Sequence, residues 1–192
     1  MITLIIVDCQ NDFITGTMCT KGARNFVEEI KKFIKKHVNE IEKILFTVKW
    51  LPYNHISFKR FGGIYPSHCV QYTPGACIEP KLLKYVQSLE INFEVSDRCR
   101  TEEDEQQGAF EEIEFNHDYP GSRYYFDSIV SANADSHFVI CGVDTYGNLR
   151  YTIDNLLKGG IMPKVYCPGI ITSDGGNTFS KYIKEKEIEK IV

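Results

Sequence analysis

Residues 2–13 read ITLIIVDCQNDF, and this stretch carries the pattern that decides the fold. Its first half, Ile2–Val7, is a short, continuous, isoleucine-rich apolar run, which is typical of a strand buried on both faces. Strands of that kind belong to parallel sheets, because antiparallel sheets commonly expose one face to water. The polar residues from Asp8 onward are therefore expected to follow the carboxyl end of a parallel strand.

Outward from this stretch, apolar strands alternate with amphipathic helices. Residues 21–42 carry apolar side chains at helical spacing between lysines and glutamates, which predicts a helix. Further strands are predicted at 44–48, 91–95, 137–142, 164–167 and 188–192, the last at an edge, and further helices at 80–88, 123–132, 145–158 and 177–186. The alternation predicts an α/β, Rossmann-like three-layer sandwich around a parallel sheet of about six strands. We expect a single domain over residues 1–192.

Two segments interrupt the alternation. Residues 49–76 contain three prolines and three glycines, and loops longer than about 15 residues are usually functional or disordered. Residues 99–122 are polar and acidic, which predicts a mobile surface excursion such as a lid. The simplest interpretation of the acidic run 102–105 is a solvated loop.

The composition excludes several classes of protein. The formal net charge is -4 and there is no basic stripe, which argues against nucleic acid as the main partner. No apolar run reaches the roughly 20 residues of a membrane span, and the apolar start is too short for a signal peptide. Seven cysteines without CxxC spacing fit neither a disulfide framework nor a zinc ribbon. We expect a cytoplasmic protein with reduced thiols and no nucleic-acid or membrane partner.

Three motifs lie at predicted strand ends or in the long loop. The first is VDCQNDF at 7–13, and the third is CGVDT at 141–145, which runs straight into a helix. The second comprises WLPYNHISF at 50–58 and YPSHCVQYTPGA at 65–76. In this order and spacing the motifs resemble those of the nicotinamidase/isochorismatase superfamily, and the resemblance covers nearly the whole chain.

The resemblance implies both a fold and a chemistry. It implies a six-stranded parallel sheet with a site at its carboxyl edge, in a protein that commonly forms homo-oligomers. The amidases of the superfamily use an Asp, Lys and Cys triad, because a thiolate nucleophile requires a nearby base and cation. Isochorismatases instead cleave an enol ether. Nicotinamidases add a divalent metal held by an Asp-x-His pair and a further histidine.

At the catalytic positions the residues depart from the superfamily pattern. Asp8 matches the catalytic aspartate. Arg98 falls at the lysine position, placed by the match of GAF at 108–110 to the superfamily's S-A-F, and arginine is a poor proton donor because it stays charged. Asn148 falls at the cysteine position, six residues after Gly142, and an amide side chain cannot form the thioester. Cysteine-dependent amidase activity is therefore predicted to be absent.

The metal-binding motif is also altered. The superfamily's D-W-H-P is KWLP at 49–52, so Lys49 replaces the carboxylate and Leu51 the first histidine. His55 and His68 are the remaining matches to histidine positions. Repulsion between the Lys49 ammonium and a dication would oppose metal binding. We expect no metal and no other cofactor, with Lys49 placing its own charge in that space and the two imidazoles hydrogen-bonding the long loop.

Some of these residues have a second interpretation. Asp8 could pair with Arg98, which would hold the aspartate ionised and leave it only to organise the site. Cys141 could be a displaced nucleophile, but a thiol inside an apolar strand has a raised pKa and low reactivity. Strand alternation points Cys9 away from the Asp8 face, and Cys69 is interpreted as structural.

Two functions remain open from the sequence. In the first, the chain is a diverged non-amidase that binds a small ligand, and Arg98 and Lys49 would grip an anionic group on it. In the alternative, it is a hydrolase, either metal-independent and isochorismatase-like or an amidase with a different nucleophile. Aromatic residues at the strand-end loops would line the pocket or pack in the core. The predicted pocket residues beside the triad positions are Phe13, Lys49, Trp50, Val143, Asp144 and Tyr146.

Overall fold

The sheet of the computed structural model, which describes residues 1–110 and 137–192, is built from six parallel strands. Their spatial order is β3-β2-β1-β4-β5-β6. The predicted helix at 123–132 and part of the predicted excursion at 99–122 lie outside the described residues. The strands are β1 (Ile2–Val7), β2 (Ile41–Lys49), β3 (Phe93–Arg98), β4 (His137–Val143), β5 (Lys164–Ile171) and β6 (Lys190–Ile191).

Helices cover both faces of this sheet, so the predicted three-layer α/β sandwich is confirmed. The helices are α1 (Asn11–Ile14), α2 (Ala23–Lys36), α3 (Pro80–Ser88), α4 (Asn148–Lys158) and α5 (Asn177–Glu185). One core packs α1, α2 and α3 on alternate strand residues such as Leu4 and Ile6. The other core packs α4 and α5 on the opposite set, such as Ile5 and Val7. Each central strand is buried on both sides, as its continuous apolar pattern indicated.

Several boundaries differ from the sequence prediction. The helix expected at 21–42 ends at Lys36, because Ile41 pairs with Ile2 and begins β2. β3 begins at Phe93 and runs on to Arg98, and β5 continues to Ile171 through a register irregularity opposite Ile140 to Gly142. The helix expected from residue 145 begins at Asn148. The edge position of the last strand is confirmed.

The order of the strands reverses between β1 and β4. The chain adds β2 and β3 on one side of β1 and then returns to its other side with β4. In open α/β sheets, ligands bind outside the carboxyl ends of the strands where the order reverses. At this point β1 and β4 lie so close that a Cβ on Gly142 would sit 2.2 Å from the Val7 carbonyl oxygen. No helix in the described ranges is long and apolar enough to cross a membrane.

Candidate functional site

The candidate site lies at the carboxyl edge of the sheet, where three strands end in charged residues. Asp8 directly follows β1, and Lys49 and Arg98 are the last residues of β2 and β3. Lys49 and Arg98 are paired in register across neighbouring strands, and the Asp8 amide donates to the Thr47 carbonyl at 2.9 Å. Asp8 has a φ of 55°, a left-handed conformation that turns the chain sharply at the strand end.

The structure brings the three triad positions into one buried cluster. Arg98 donates from Nη1 to Asp8 Oδ1 at 2.8 Å and from Nη2 to Oδ2 at 2.6 Å. Asn148 Nδ2 donates to the same Oδ2 at 2.7 Å, from the first residue of α4. All three side chains are buried. The three positions that the sequence assigned from separate motifs therefore meet, and the Asp8–Arg98 pairing given there as a second interpretation is what the structure shows.

This pairing fixes the protonation of the arginine. Burial lowers the pKa of Arg98, but attraction to the Asp8 carboxylate and the hydrogen bonds to it raise the pKa by more, so the net shift is upward. Two buried polar atoms of the cluster, Arg98 Nε and Asn148 Oδ1, have no hydrogen-bond partner among the described residues. Both Nη nitrogens point to Asp8, so Arg98 does not present its bidentate fork to a ligand, in contrast to the expectation from the sequence.

Lys49 is held at the same edge by the side chain of Gln10. The Lys49 amide donates to Gln10 Oε1 at 2.8 Å, and Gln10 Nε2 donates to the carbonyls of Lys49 and Ala76 at 2.7 and 2.8 Å. Lys49 is buried, and its Nζ has no hydrogen bond or ion pair with residues 1–110 or 137–192. The motif residue Gln10 thus positions Lys49, a role that the motif alone does not predict.

The other polar residues of the first motif fasten the long loop to β1. Asn11 Nδ2 donates to the Pro74 carbonyl at 2.7 Å. The buried carboxylate of Asp12 accepts from the amides of Cys69 at 2.7 Å and Thr17 at 3.2 Å. The loop that carries His55 and His68 is therefore ordered by contacts with the strand end, which explains why the two motifs occur together.

His55 and His68 lie in that loop, but their ring nitrogens differ in availability. His55 contacts Ser57 Oγ through Nδ1 at 2.8 Å and the Asp104 carbonyl through Nε2 at 2.9 Å. His68 Nδ1 contacts the Pro66 carbonyl at 2.9 Å. Burial, with a smaller contribution from the Lys49 charge, lowers the pKa of His68 to about 4. At neutral pH the His68 ring is uncharged.

Known proteins resemble this chain in structure. No family profile matches the sequence, and no curated protein matches it either. The pyrazinamidase of Pyrococcus horikoshii in complex with zinc has a TM-score of 0.77 at 24% identity, over 99% of this chain and 98% of that one. The yeast nicotinamidase bound to the inhibitor nicotinaldehyde has a TM-score of 0.82 at 21% identity, over 100% and 99%. An isochorismatase-like hydrolase from Alkaliphilus metalliredigens gives 0.70 at 14%, over 98% and 93%.

The chain has the nicotinamidase/isochorismatase fold. The agreement extends over essentially the entire length of each protein, and the six-stranded parallel sheet expected from the motifs is confirmed. The fold predicted from the resemblance is therefore shown.

Within this fold the residues present do not suit a divalent metal. No group of three or more His, Cys, Asp or Glu side chains that could hold an ion occurs in the described part of the chain. Both ring nitrogens of His55 already have protein partners, and Leu51 is a buried apolar residue. Of the two histidines, only His68 has a ring nitrogen, Nε2, without a partner in the described residues. The charge of Lys49 is near enough to this ring to lower the His68 pKa. A dication there would meet one neutral donor and a repelling ammonium.

Of the three aromatic residues predicted to line the pocket, Phe13 is buried, Trp50 is partly buried and Tyr146 is more exposed. Phe13 is buried and meets the His68 ring at 5.9 Å between centroids. Trp50 packs edge-on against Tyr72 at 5.4 Å, and the half-exposed Tyr146 packs edge-on against Tyr65 at 5.1 Å. Their role in a ligand pocket stays a prediction. Phe58 and Tyr65, which were not among the predicted pocket residues, also pack against His68, with ring centroids 5.6 and 6.0 Å away.

The turn after β4 is occupied by local contacts. Val143 is buried at the end of the strand. The Asp144 carboxylate accepts from the Arg150 amide at 3.0 Å and from Arg150 Nε at 2.7 Å. Burial raises the pKa of Asp144, and the Arg150 contacts oppose that shift. Asp144 therefore anchors the start of α4, and its place in a pocket also stays a prediction.

The thiols near the site are poor nucleophiles. Burial raises the pKa of Cys69 well above its usual range, although the charges of Lys49 and Arg98 lower it in part. Burial raises the pKa of Cys99 to about 11 against the same two cations, and its Sγ contacts the Gln106 carbonyl at 3.2 Å. Burial also raises the pKa of Cys141 within β4. Thiolates are the reactive form, so all three are inert at neutral pH.

Proposed function

We propose that this chain is a small-ligand-binding protein with the nicotinamidase/isochorismatase fold and without cysteine-dependent amidase activity. The observation that carries the proposal is the hydrogen bond from Asn148 Nδ2 to Asp8 Oδ2 at 2.7 Å. The resemblance assigns the nucleophilic thiol to this position, next to its base. Here the position holds an amide nitrogen that donates a hydrogen bond and has no lone pair for attack on a carbonyl.

The state of Asp8 supports the same conclusion. A general base needs an oxygen that can take a proton from the nucleophile or the substrate. Both Asp8 oxygens accept from the Arg98 fork, and one accepts from Asn148 as well. Because arginine does not release its proton in proteins, Arg98 cannot relay one either. Asp8 is thus a structural carboxylate that orders the strand ends.

The other thiols do not supply a replacement. Cys69 and Cys99 are buried, and their pKa values are raised above the ordinary cysteine value. An amidase built on either would need a base to activate the thiol. The nearby imidazole, His68, is a weak base, because burial lowers its pKa to about 4.

Ammonia release from nicotinamide and pyrazinamide tests the proposal, with the purified protein in the presence of zinc. We expect release equal to the protein-free background, and the same value for Asp8→Ala. Release that exceeds background in the wild type and disappears in Asp8→Ala would overturn the proposal.

The alternative hydrolase function is tested alongside. Isochorismate cleavage by the wild type, lost in Asp8→Ala, would show that the ion-paired Asp8 still takes part in acid–base chemistry. We expect no cleavage, because both Asp8 oxygens accept from Arg98 and arginine does not release its proton.

A further inference from the structure

Lys49 differs from the other buried charged residues in the described ranges. Asp8 is paired with Arg98, and Asp144 with Arg150. Asp12 accepts two backbone amides. Lys49 is 8% exposed, and its ammonium has neither an ion pair nor a hydrogen bond with residues 1–110 or 137–192. An ammonium on a mostly buried side chain and without a protein partner can be stabilised by an anion from outside the chain.

The backbone that carries this charge is held in place. Lys49 is hydrogen-bonded on both sides of its backbone by Gln10 and is paired in register with Arg98. Its side chain lies close enough to His68, Cys69 and Cys99 for the charge to lower their pKa values. Because the backbone is held and most of the side chain is buried, few positions are open to the ammonium, which lowers the ordering cost when a ligand binds.

We infer that the Lys49 ammonium replaces a divalent metal as the fixed positive charge of this site and binds the carboxylate of a small organic acid. The inference rests on the proposed ligand-binding function and names the class of ligand. It follows from the disagreement between the fold and the donor set, since the residues that remain near Lys49 cannot hold a metal. Lys49 supplies charge without a metal.

The surroundings favour a monoanion over a phosphate. The charge of Arg98 is paired with Asp8, so the Lys49 ammonium is the unpaired cation of this cluster. The Asp12 carboxylate is near enough to affect the same His68 and Cys69 side chains as Lys49. A second negative charge on the ligand would be repelled by Asp12 without a second cation to offset it.

Matched acid and amide probes test this inference. Dissociation constants for benzoate and benzamide are measured by titration calorimetry with EDTA present, on the wild type, Lys49→Met and Lys43→Met. Lys43 is a control because it lies on the same strand and pairs with Glu94 away from the site. We expect the wild type and Lys43→Met to prefer benzoate by about tenfold or more, as for a charge-assisted hydrogen bond. Lys49→Met should bind the two probes equally.

Each other outcome would overturn the inference. A benzoate preference that survives in Lys49→Met would assign the anion to another residue, and benzoate binding that requires zinc would restore a metal to the site. Absence of benzoate binding to the folded wild type would show that no carboxylate site exists. Ammonia is assayed in the same benzamide samples, so that amide hydrolysis, which would refute the proposed function, is separated from failure of the Lys49 assignment.

Discussion

The Asp8 carboxylate accepts hydrogen bonds from residues that follow two other strands, Arg98 on β3 and Asn148 after β4. Leaving a buried charge without its partner typically costs about 3–5 kcal/mol, whereas an intact buried pair is closer to neutral. The pair therefore constrains which substitutions Asp8 and Arg98 tolerate without adding much stability. Its consequence for function is that both Asp8 oxygens are turned to Arg98, and three of the about four acceptor positions of the carboxylate are occupied.

At the residue scale, the sequence predicted which residues form the site better than it predicted the side-chain contacts between them. The motifs located Asp8, Arg98 and Asn148, and the structure brings them together. They left open whether the Arg98 fork pairs with Asp8 or faces a ligand, and the structure shows the pairing. That choice depends on the distance between strand ends, which no local pattern encodes. The clamp from Gln10 to Lys49 was missed because it joins residues 39 positions apart.

His68 makes the stability of the protein depend on pH. Its pKa is about 4 in the folded protein, lowered mainly by burial, against 6.5 for an unperturbed imidazole. Above pH 6.5 the ring is neutral in both states and has no effect. As the pH falls from 6.5 to 4, His68 becomes protonated in the unfolded chain but stays neutral in the folded chain. The free energy of unfolding therefore falls. We expect this site alone to lower the free energy of unfolding by about 3 kcal/mol between pH 7 and pH 4.

Urea unfolding at a series of pH values measures this effect. His68→Asn keeps a donor for the Pro66 carbonyl and removes the titrating ring, so its stability should fall less over the same range. His37→Asn is the matched control, because His37 lies near the surface beside Glu40. A His68→Asn profile parallel to the wild type would contradict the assignment.

At the element scale, the central strands and long helices were predictable and the ends were not. Ile2–Val7 and Pro80–Ser88 were predicted with the bounds that the structure shows. The helix α2 was overextended because Ile41 continues its helical spacing, yet Ile41 pairs with Ile2 in the sheet. β5 was cut short at residue 167, since Pro168 and Gly169 are typical strand terminators. Long-range pairing decided both cases against the local pattern.

Gly142 is the point at which β4 passes closest to β1. Its φ is 134°, and an added Cβ would lie 2.2 Å from the Val7 carbonyl oxygen, which is backbone and cannot move aside. We expect Gly142→Ala to destabilise the protein by about 3 kcal/mol or more, through backbone strain and steric overlap together. The shift should appear as a lower midpoint of urea unfolding.

Gly160→Ala separates these two contributions. Gly160 also has a positive φ, of 81°, but an added Cβ there would meet no atom within 4 Å. Its substitution should cost about 1–2 kcal/mol, from backbone strain alone. If both variants lose the same free energy of unfolding, the contact between β1 and β4 at Gly142 is looser than its geometry indicates.

At the scale of the whole molecule, the alternation of elements was sufficient to predict the layered α/β sheet. Continuous apolar runs require burial on two faces, and right-handed crossovers place helices on both. The order of the strands was not predicted. All central strands have the same apolar pattern, so the pattern does not indicate that β4 pairs with the far side of β1. That choice brings Asn148 to Asp8 and so creates the site.

The two helical layers share one sheet, and this predicts how the protein unfolds. Each central strand contributes side chains to both cores. Loss of either helical layer would therefore expose one face of the strands on which the other layer also packs. We expect a single cooperative transition, as for one domain over residues 1–192. The single tryptophan, Trp50, directly follows β2 and reports on the carboxyl edge, whereas far-ultraviolet circular dichroism reports on all helices. Urea midpoints from the two signals should coincide. A Trp50 transition at a lower urea concentration would show that the carboxyl edge of the sheet unfolds as a separate unit. Lys49 would then lose its position, and carboxylate binding with it, before the rest of the fold unfolds.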